Sequence, residues 1–286
     1  MNHRWLWIDT REKLEDAKSD IHHAHVVSVD TEYDSFRYFR DVLCLIQVNA
    51  GKITYLFDPL GNVDFSFLEI VFANSAVLKI MHAGDNDIRL LKRDYSFEFA
   101  NIFDTHQAAS ILGCHNLALS TLTNQFLGVE LKKDKKMQRS RWDTRPLTEE
   151  QIRYAVEDAA HLESLYRVLD SQLQAGDLKK KAGAAFERIA AVTWSEKTFN
   201  PHTCRGINGY HSLSKEQQRA AMNLCRWRFE KAKETNIARF RILTDQNLVD
   251  LAKSGASSVE TLLETGILSP ERVSRYGREI VEAINV

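Results

Sequence analysis

The chain has 286 residues, 44% of them apolar and 27% charged, with a formal net charge of -1. That length can bury one large core, or a large and a small one, and the composition excludes a disordered or collagen-like chain. The charge balance excludes a globally basic nucleic-acid binder, so any such surface must be local.

In chain order, residues 5–9 (WLWID) read as a short strand, and Thr10 caps a helix through about 18. Residues 26–32 (VVSVDTE) form a mostly β-branched buried strand that ends in two acids. The aromatic and charged stretch 33–41 suits a loop at the mouth of a site. Residues 43–48 and 53–57 are strands joined by a short Gly-containing connection, a hairpin signal. A helical period at 65–73, a strand at 77–82, a helix from 85 to 93, a strand at 102–104 and helices at 106–112 and 119–127 follow. Such an order predicts an α/β fold, a mixed five-stranded sheet with helices on both faces, which resembles the ribonuclease-H-like arrangement. Thr148-Glu149-Glu150-Gln151 is a capping box that opens a helix expected to run to about 174. Another helix is expected within 176–195, completing a first domain over 1–195. Residues 196–210 mix Pro, Asn and Gly and read as a linker. Residues 211–286 then read as a small all-α domain, with helices at 215–235, 245–252, 258–264 and 270–284.

The four cysteines match no zinc or redox spacing, so reduced thiols are expected. With no signal-like segment and no 18-residue apolar window, a cytoplasmic location is expected, with no membrane partner. A monomer is expected.

The acids carry the chemistry. Asp30 and Glu32 sit two apart in a strand, so they share one face. Two buried carboxylates side by side repel unless a cation joins them, and a hard divalent ion prefers such oxygen ligands. Read alone, the pair is also what a strand running into an acidic turn looks like. Asp87 lies in the first turn of a helix and shares a face with Leu90 and Leu91, which turns it toward the core; its competitor Asp85 is better placed as a cap. Asp158 interrupts the apolar line Ala155, Leu162, Leu165 and Leu169, with Tyr154 one turn before it. His82 ends a strand and reads as structural.

Together, Asp30, Glu32, Asp87 and Asp158 with Tyr154 resemble the tyrosine branch of the DEDD 3′→5′ exonuclease superfamily. The histidine branch carries His five residues before the last acid, where this chain has Arg153. The blocks VDTEYDSFRYFRDVLCLIQV, KIMHAGDNDIRLLKRD, NIFDTHQAASILG and RPLTEEQIRYAVEDAAHL resemble those of ribonuclease D. The stretches NLCRWRFEKAKETNIARFRILTDQNLVDLA and RVSRYGREIVEAI resemble an HRDC domain. Two departures are the Ser140-Arg141-Trp142 that replaces the family's common Ser-Asp-Trp, and a single HRDC domain where some relatives carry two helical modules.

The resemblance implies two divalent metal ions, Mg²⁺ or Mn²⁺, held by Asp30, Glu32, Asp87 and Asp158, with Asp30 bridging and Tyr154 orienting the attacking water. Two-metal hydrolysis places its ions about 3.5–4 Å apart and clamps both the attacking and the leaving oxygen. It further implies an exoribonuclease that releases nucleoside 5′-monophosphates from RNA 3′ ends, tRNA precursors included. A DNA exonuclease of the same chemistry and an inactive nucleic-acid-binding scaffold stay open.

Residues 132–145 hold seven Lys/Arg and two Asp, a local net of +5. Lys132, Lys133, Lys135, Lys136, Arg139 and Arg141 are expected to meet phosphates, and Trp142, with Phe36 and Phe39, to stack on bases. Residues 210–286 carry 12 Lys/Arg against 10 Asp/Glu, so the helical domain is only weakly basic. Arg226, Arg228, Lys231 and Lys233 beside Trp227 are its candidate RNA contacts, with protein interaction as the alternative.

Overall fold

A computed structural model of the chain describes residues 3–131 and 135–285. It divides into two compact units. One runs to Asp34 and resumes over Val42–Ser195; the other joins Ser35–Asp41 to Glu196–Val286.

The first unit is built on a mixed six-stranded sheet: β1 (Arg4–Ile8), β2 (Val26–Asp34), β3 (Val42–Ala50), β4 (Ile53–Phe57), β5 (Leu78–Met81) and β6 (Ile102–Asp104), in the order β1-β4-β3-β2-β5-β6. The three-strand meander β2-β3-β4 is antiparallel, while β5, β6 and β1 pair parallel to their neighbours. The WLWID segment is thus a sixth strand, on the edge beside β4, added to the expected five.

Nine helices of this unit are described: α1 (Arg11–His22), α2 (Leu68–Ala73), α3 (Asp85–Tyr95), α4 (Thr105–Ile111), α5 (Leu119–Leu127), α6 (Lys135–Gln138), α7 (Glu149–Ala160), α8 (Leu162–Ala175) and α9 (Lys179–Ala190). Strand alternation sorts the core. Val27, Val29, Ile46, Val48, Tyr55 and Phe57 point to the face covered by Leu14, Ala17 and Ile21 of α1, Leu68 of α2, and Ile88 and Leu91 of α3. Leu14, Ala17 and Ile21 recur at helical spacing, which is why α1 buries that stripe. Leu45 and Leu56 point to the opposite face, under Ala155 and Val156 of α7. The even-numbered residues of β2, among them Asp30 and Glu32, share that second face.

The helix expected from 148 to 174 is two helices. His161, at φ -98° and ψ -9°, ends α7 and precedes α8. The apolar line nevertheless continues through Leu162, Leu165, Leu169 and Leu173, all buried.

The second unit contains α10 (Pro201–Arg205), a 3₁₀ turn (Tyr210–Ser212), α11 (Lys215–Thr235), α12 (Arg239–Ile242), α13 (Asp245–Ser254), α14 (Val259–Glu264) and α15 (Pro270–Asn285). Capping boxes open α11 at Ser214, α13 at Thr244 and α14 at Ser258. Gly277 lets α15 approach α14: a Cβ there would lie 3.1 Å from Val273 Cγ1 and 3.3 Å from Val259 Cγ1.

Residues 196–210 are not bare linker. Cys204, Ile207 and Tyr210 are buried in this unit's core. Cys204 and Cys225 are joined by a disulfide between α10 and α11, Cα atoms 6.1 Å apart, which corrects the expectation of four reduced thiols; a separation of 21 residues hid a pairing made only by tertiary structure. Cys44 and Cys114 are free.

Candidate metal centre

The sequence places Asp30 and Glu32 on one face of β2, and the fold brings α7 across that face. Asp30 sits opposite Gln47 and Glu32 opposite Leu45 in the β2–β3 register, and the register shifts just beyond, between Glu32 and Tyr33. Bulges of this kind re-aim side chains next to sites. The Thr148 capping box fixes where α7 starts, with Gln151 N donating to Thr148 Oγ1 at 3.2 Å and Thr148 N to Gln151 Oε1 at 3.0 Å. That start in turn sets Tyr154 and Asp158 one turn apart on the side facing β2.

Asp30, Glu32 and Asp158 each offer a carboxylate oxygen within 4.8 Å of the others. Asp87, buried in the first turn of α3, adds its charge beside Asp30 but stands outside that tight group. Its Oδ1 accepts the hydroxyl hydrogen of Thr31, the residue between the two β2 acids. Among the described residues no Lys or Arg pairs with any of these four acids. The consequence is electrostatic. Burial, then Asp87 and Asp158, hold Asp30 well above the ordinary carboxylate range, and burial with Asp30, Asp158 and Asp87 does the same to Glu32. Burial pushes Asp158 up to about 7, although its bond from Tyr154 opposes this, and Asp87 up to about 6, although Thr31 opposes it. Four desolvated acids without a cation are costly, and an all-oxygen donor set of this kind fits a hard divalent ion. The Tyr154 hydroxyl is pushed far above its ordinary value by burial and by Asp158 and Glu32. It therefore stays protonated and acts as a donor.

Several supporting groups were not singled out in the sequence. Asp104, fully buried, caps α4 through Gln107 N at 2.8 Å and accepts Gly84 N at 2.9 Å. It thereby anchors the start of α3, and Asp87 with it. Gly84 has no room for a side chain, since a Cβ would lie 2.8 Å from Met81 Cβ, and Ala83 before it takes a left-handed φ of 54°. His82 is structural, as expected: Nδ1 bonds Thr105 Oγ1 at 2.8 Å, and burial beside His106 lowers it to about 4. Gln47, opposite Asp30, is buried with no protein partner for its amide among the described residues. The signal for Asp104 lay in its place, an acid at the junction of strand and helix.

The expected nucleic-acid contacts fare differently. Trp142 is fully buried against Cys44, Leu45 and Leu56, 6.1 Å from the Tyr154 ring. It packs behind Tyr154 and cannot stack on a base, because the loop before α7 folds inward. Arg145 drives that folding: its guanidinium bonds both oxygens of Asp58, each at 2.6 Å, and the carbonyl oxygens of Cys44, Trp142 and Thr144. Arg141 is held by both oxygens of Asp143 at 3.0 Å, which offsets its charge. Lys136 and Arg139 are exposed. Lys132, Lys133 and the side chain of Lys135 lie outside the described residues. Phe39 is buried in the core of the helical unit, so it is no base contact either, whereas Phe36 is 60% exposed.

The candidate contacts on α11 are mostly engaged. Arg228 is buried and bonds Asp245 and the Leu243 carbonyl, each at 2.8 Å. Lys231 pairs with Glu234 and Glu279, Lys233 with Glu196, and Trp227 donates to Glu279. Arg226 alone of the four cations projects outward, over the Phe199 ring.

Comparison with known proteins agrees with this geometry. The 3′-5′ exonuclease family model matches residues 5–174, and the HRDC domain model matches 217–284. The chain belongs to that 3′-5′ exonuclease family and carries an HRDC domain after the unit that the exonuclease model matches. It is 29% identical over 267 residues to the Exosome complex component 10 homolog of Drosophila melanogaster, covering 90% of this chain but 29% of that protein. It is 30% identical over 260 residues to ribonuclease D of Pseudomonas paraeruginosa, covering 90% of this chain and 68% of that one. The crystal structure of Escherichia coli RNase D, described as an exoribonuclease involved in structured RNA processing, matches with a TM-score of 0.72 at 25% identity, over 100% of this chain and 75% of that one. The expected likeness to ribonuclease D is therefore shared with a second group of relatives, and this chain spans less than a third of the Drosophila protein. No helix among the described residues is long and apolar enough to cross a membrane.

Proposed function

We propose that this protein is a ribonuclease D-like exoribonuclease that shortens RNA from its 3′ end and releases nucleoside 5′-monophosphates, with structured RNAs such as tRNA precursors as substrates. The observation that carries the reading is the cluster of Asp30, Glu32 and Asp158, within 4.8 Å and unanswered by any cation among the described residues, in a chain of the exonuclease family. Ribonuclease D relatives support RNA as the substrate.

Asp30, Glu32, Asp87 and Asp158 would hold two divalent ions, Mg²⁺ or Mn²⁺. When bound, these supply a water of lowered pKa and charge neutralisation at the leaving 3′ oxygen. The chain's own part is to position. Thr31 holds Asp87, Asp104 holds the start of α3, and the capping box sets the reach of α7. Tyr154, held protonated, orients the attacking water through its hydroxyl. Lys136 and Arg139 meet the backbone phosphates without reading sequence.

The test is a time course with purified protein, Mg²⁺ or Mn²⁺, and matched RNA and DNA oligonucleotides labelled at the 5′ end. A ladder that shortens stepwise with RNA and is lost in EDTA supports the reading. Shortening of DNA alone moves the substrate to DNA, and internal fragments overturn the exonuclease assignment.

A further inference from the structure

With three of the four α11 cations held by acids or carbonyls, the helical unit needs another face if it is to hold nucleic acid. One exists. Phe36 is 60% and Phe240 44% exposed, their ring centroids 4.9 Å apart. Large aromatic side chains left in water as a touching pair are unusual in a unit that buries Phe39 and Phe229 in its core.

The pair is built, not incidental. Helix α12 reads Arg-Phe-Arg-Ile, and only Ile242 enters the core. That leaves Arg239 and Arg241 exposed on either side of Phe240, and no carboxylate pairs with them among the described residues. Arg272 donates to the Arg241 carbonyl at 3.2 Å, which brings a third guanidinium to the patch. The nearby acid Asp245 is already engaged by Arg228. The segment that carries Phe36 is tied to the α12 side by Ala238 N to Arg37 O at 3.0 Å and Arg40 N to Asn236 Oδ1 at 2.8 Å, with Phe39 packed against Phe229.

We propose that Phe36 and Phe240, flanked by Arg239 and Arg241, form a stacking platform that holds unpaired nucleotides of an RNA strand. The inference rests on the exoribonuclease reading for its choice of ligand. Two rings offer π-faces to any base, while guanidiniums beside them meet the phosphates between bases. A protein partner fits less well, because two rings are far smaller than the roughly 800 Å² per side of a stable protein interface.

The test uses the full chain in EDTA, so that binding is read without cleavage. Fluorescence anisotropy measures a labelled, unstructured RNA of about 16 nucleotides, within the range of known single-strand sites. Phe240→Ala should weaken binding about tenfold, as should Phe36→Ala, with the salt slope unchanged. Phe240→Leu, which keeps the apolar contact but lacks the ring face, should be as weak as the alanine variant. Arg239→Gln with Arg241→Gln should lower the slope of log K against log salt by about 1.4, at about 0.7 per lost single-strand contact. In Mg²⁺, the fall in turnover on the long strand should exceed that on a dinucleotide by about tenfold. Unchanged affinity in the Phe240 variants, or full rescue by leucine, overturns the platform. Dissociation of a self-associated form by Phe240→Ala, with RNA affinity intact, assigns the patch to contact between copies and also overturns it. A wild-type protein that binds RNA through these rings yet never shortens it sinks the exoribonuclease reading and leaves the platform standing.

Discussion

The acid cluster at β2 and the basic residues of α11 are both groups of like charge, and the fold treats them in opposite ways. The cluster gathers Asp30, Glu32 and Asp158 with no cation of the described chain to offset them. Along α11, Arg228, Lys231 and Lys233 each meet a carboxylate. Buried acids that the protein leaves unanswered must hold a proton or meet a cation from outside, whereas charge it answers internally serves packing and orientation. By that criterion, the candidate metal site lies at β2 and the cations of α11 serve packing.

The contrast breaks if the acids prove replaceable. Asp30→Asn should lower hydrolysis by more than ~10³-fold while leaving RNA affinity in EDTA near wild type, since it removes a ligand but no phosphate contact. Single-turnover rates and anisotropy check this, and activity within tenfold of wild type would remove the cluster from catalysis. Tyr154→Phe should cost less, on the order of 10²-fold in turnover, because it loses one oriented hydroxyl; an unchanged rate would leave Tyr154 as a neighbour of Trp142 and nothing more.

On the other side of the comparison, Arg228→Ala should lower the stability of the helical unit by about 2 kcal/mol, less than a fully buried pair because Asp245 is 63% exposed. Arg228→Met, which keeps the apolar stem, should recover part of the loss, read by denaturant titration. RNA affinity should not move in either variant. A loss of affinity without a loss of stability would return the stripe to the nucleic-acid surface.

The unanswered acids also set a pH dependence. Asp158 keeps its proton up to about 7 in the folded, metal-free protein and Asp87 up to about 6, against 3.8 for an ordinary Asp. Between those values the folded state binds more protons than the unfolded one, so stability falls as pH rises. The contribution is complete below about pH 4 and gone above pH 7. The Tm of metal-free protein should therefore drop between pH 5 and pH 8, and Mn²⁺ should raise it more at pH 8 than at pH 5. Asp158→Asn should flatten that slope and raise the metal-free Tm at pH 8. A Tm that climbs over the interval in metal-free protein would mean that a cation of the chain reaches the cluster after all.

What could be read in the sequence depended on how locally it was determined. Asp30 with Glu32 rests on strand alternation, and Tyr154 with Asp158 on one helical turn after a capping box, so both pairs were legible. Asp87 was legible through its helix face, but its tether to Thr31 spans 56 residues and was not. Trp142, Arg141 and Arg145 looked like a nucleic-acid loop because their neighbours are basic. Besides Asp143 and the nearby Trp142 and Thr144 carbonyls, they are met by groups far off in sequence: Asp58, just past β4, and the Cys44 carbonyl for Arg145, and the β3 and β4 side chains around Trp142. The same holds for Cys204 with Cys225. The α11 stripe misled for a related reason, since Asp245, Glu279 and Glu196 lie beyond the reach of helical periodicity.

The short passage Ser35–Asp41, which leaves β2 and belongs to the helical unit, makes that unit discontinuous along the chain. No single cut in the gene separates the two units cleanly. A truncation after residue 195 would strip Phe39 of the Phe229 ring it packs against and turn a residue 4% exposed into a bare apolar patch, beside the Arg40 that has lost Glu196. Conversely, a transplant of 196–286 alone would carry a hole where Phe39 belongs. Portability therefore requires either redesign of the seven-residue insert or its inclusion as a grafted peptide, and solubility of the isolated first unit should improve on Phe39→Ser.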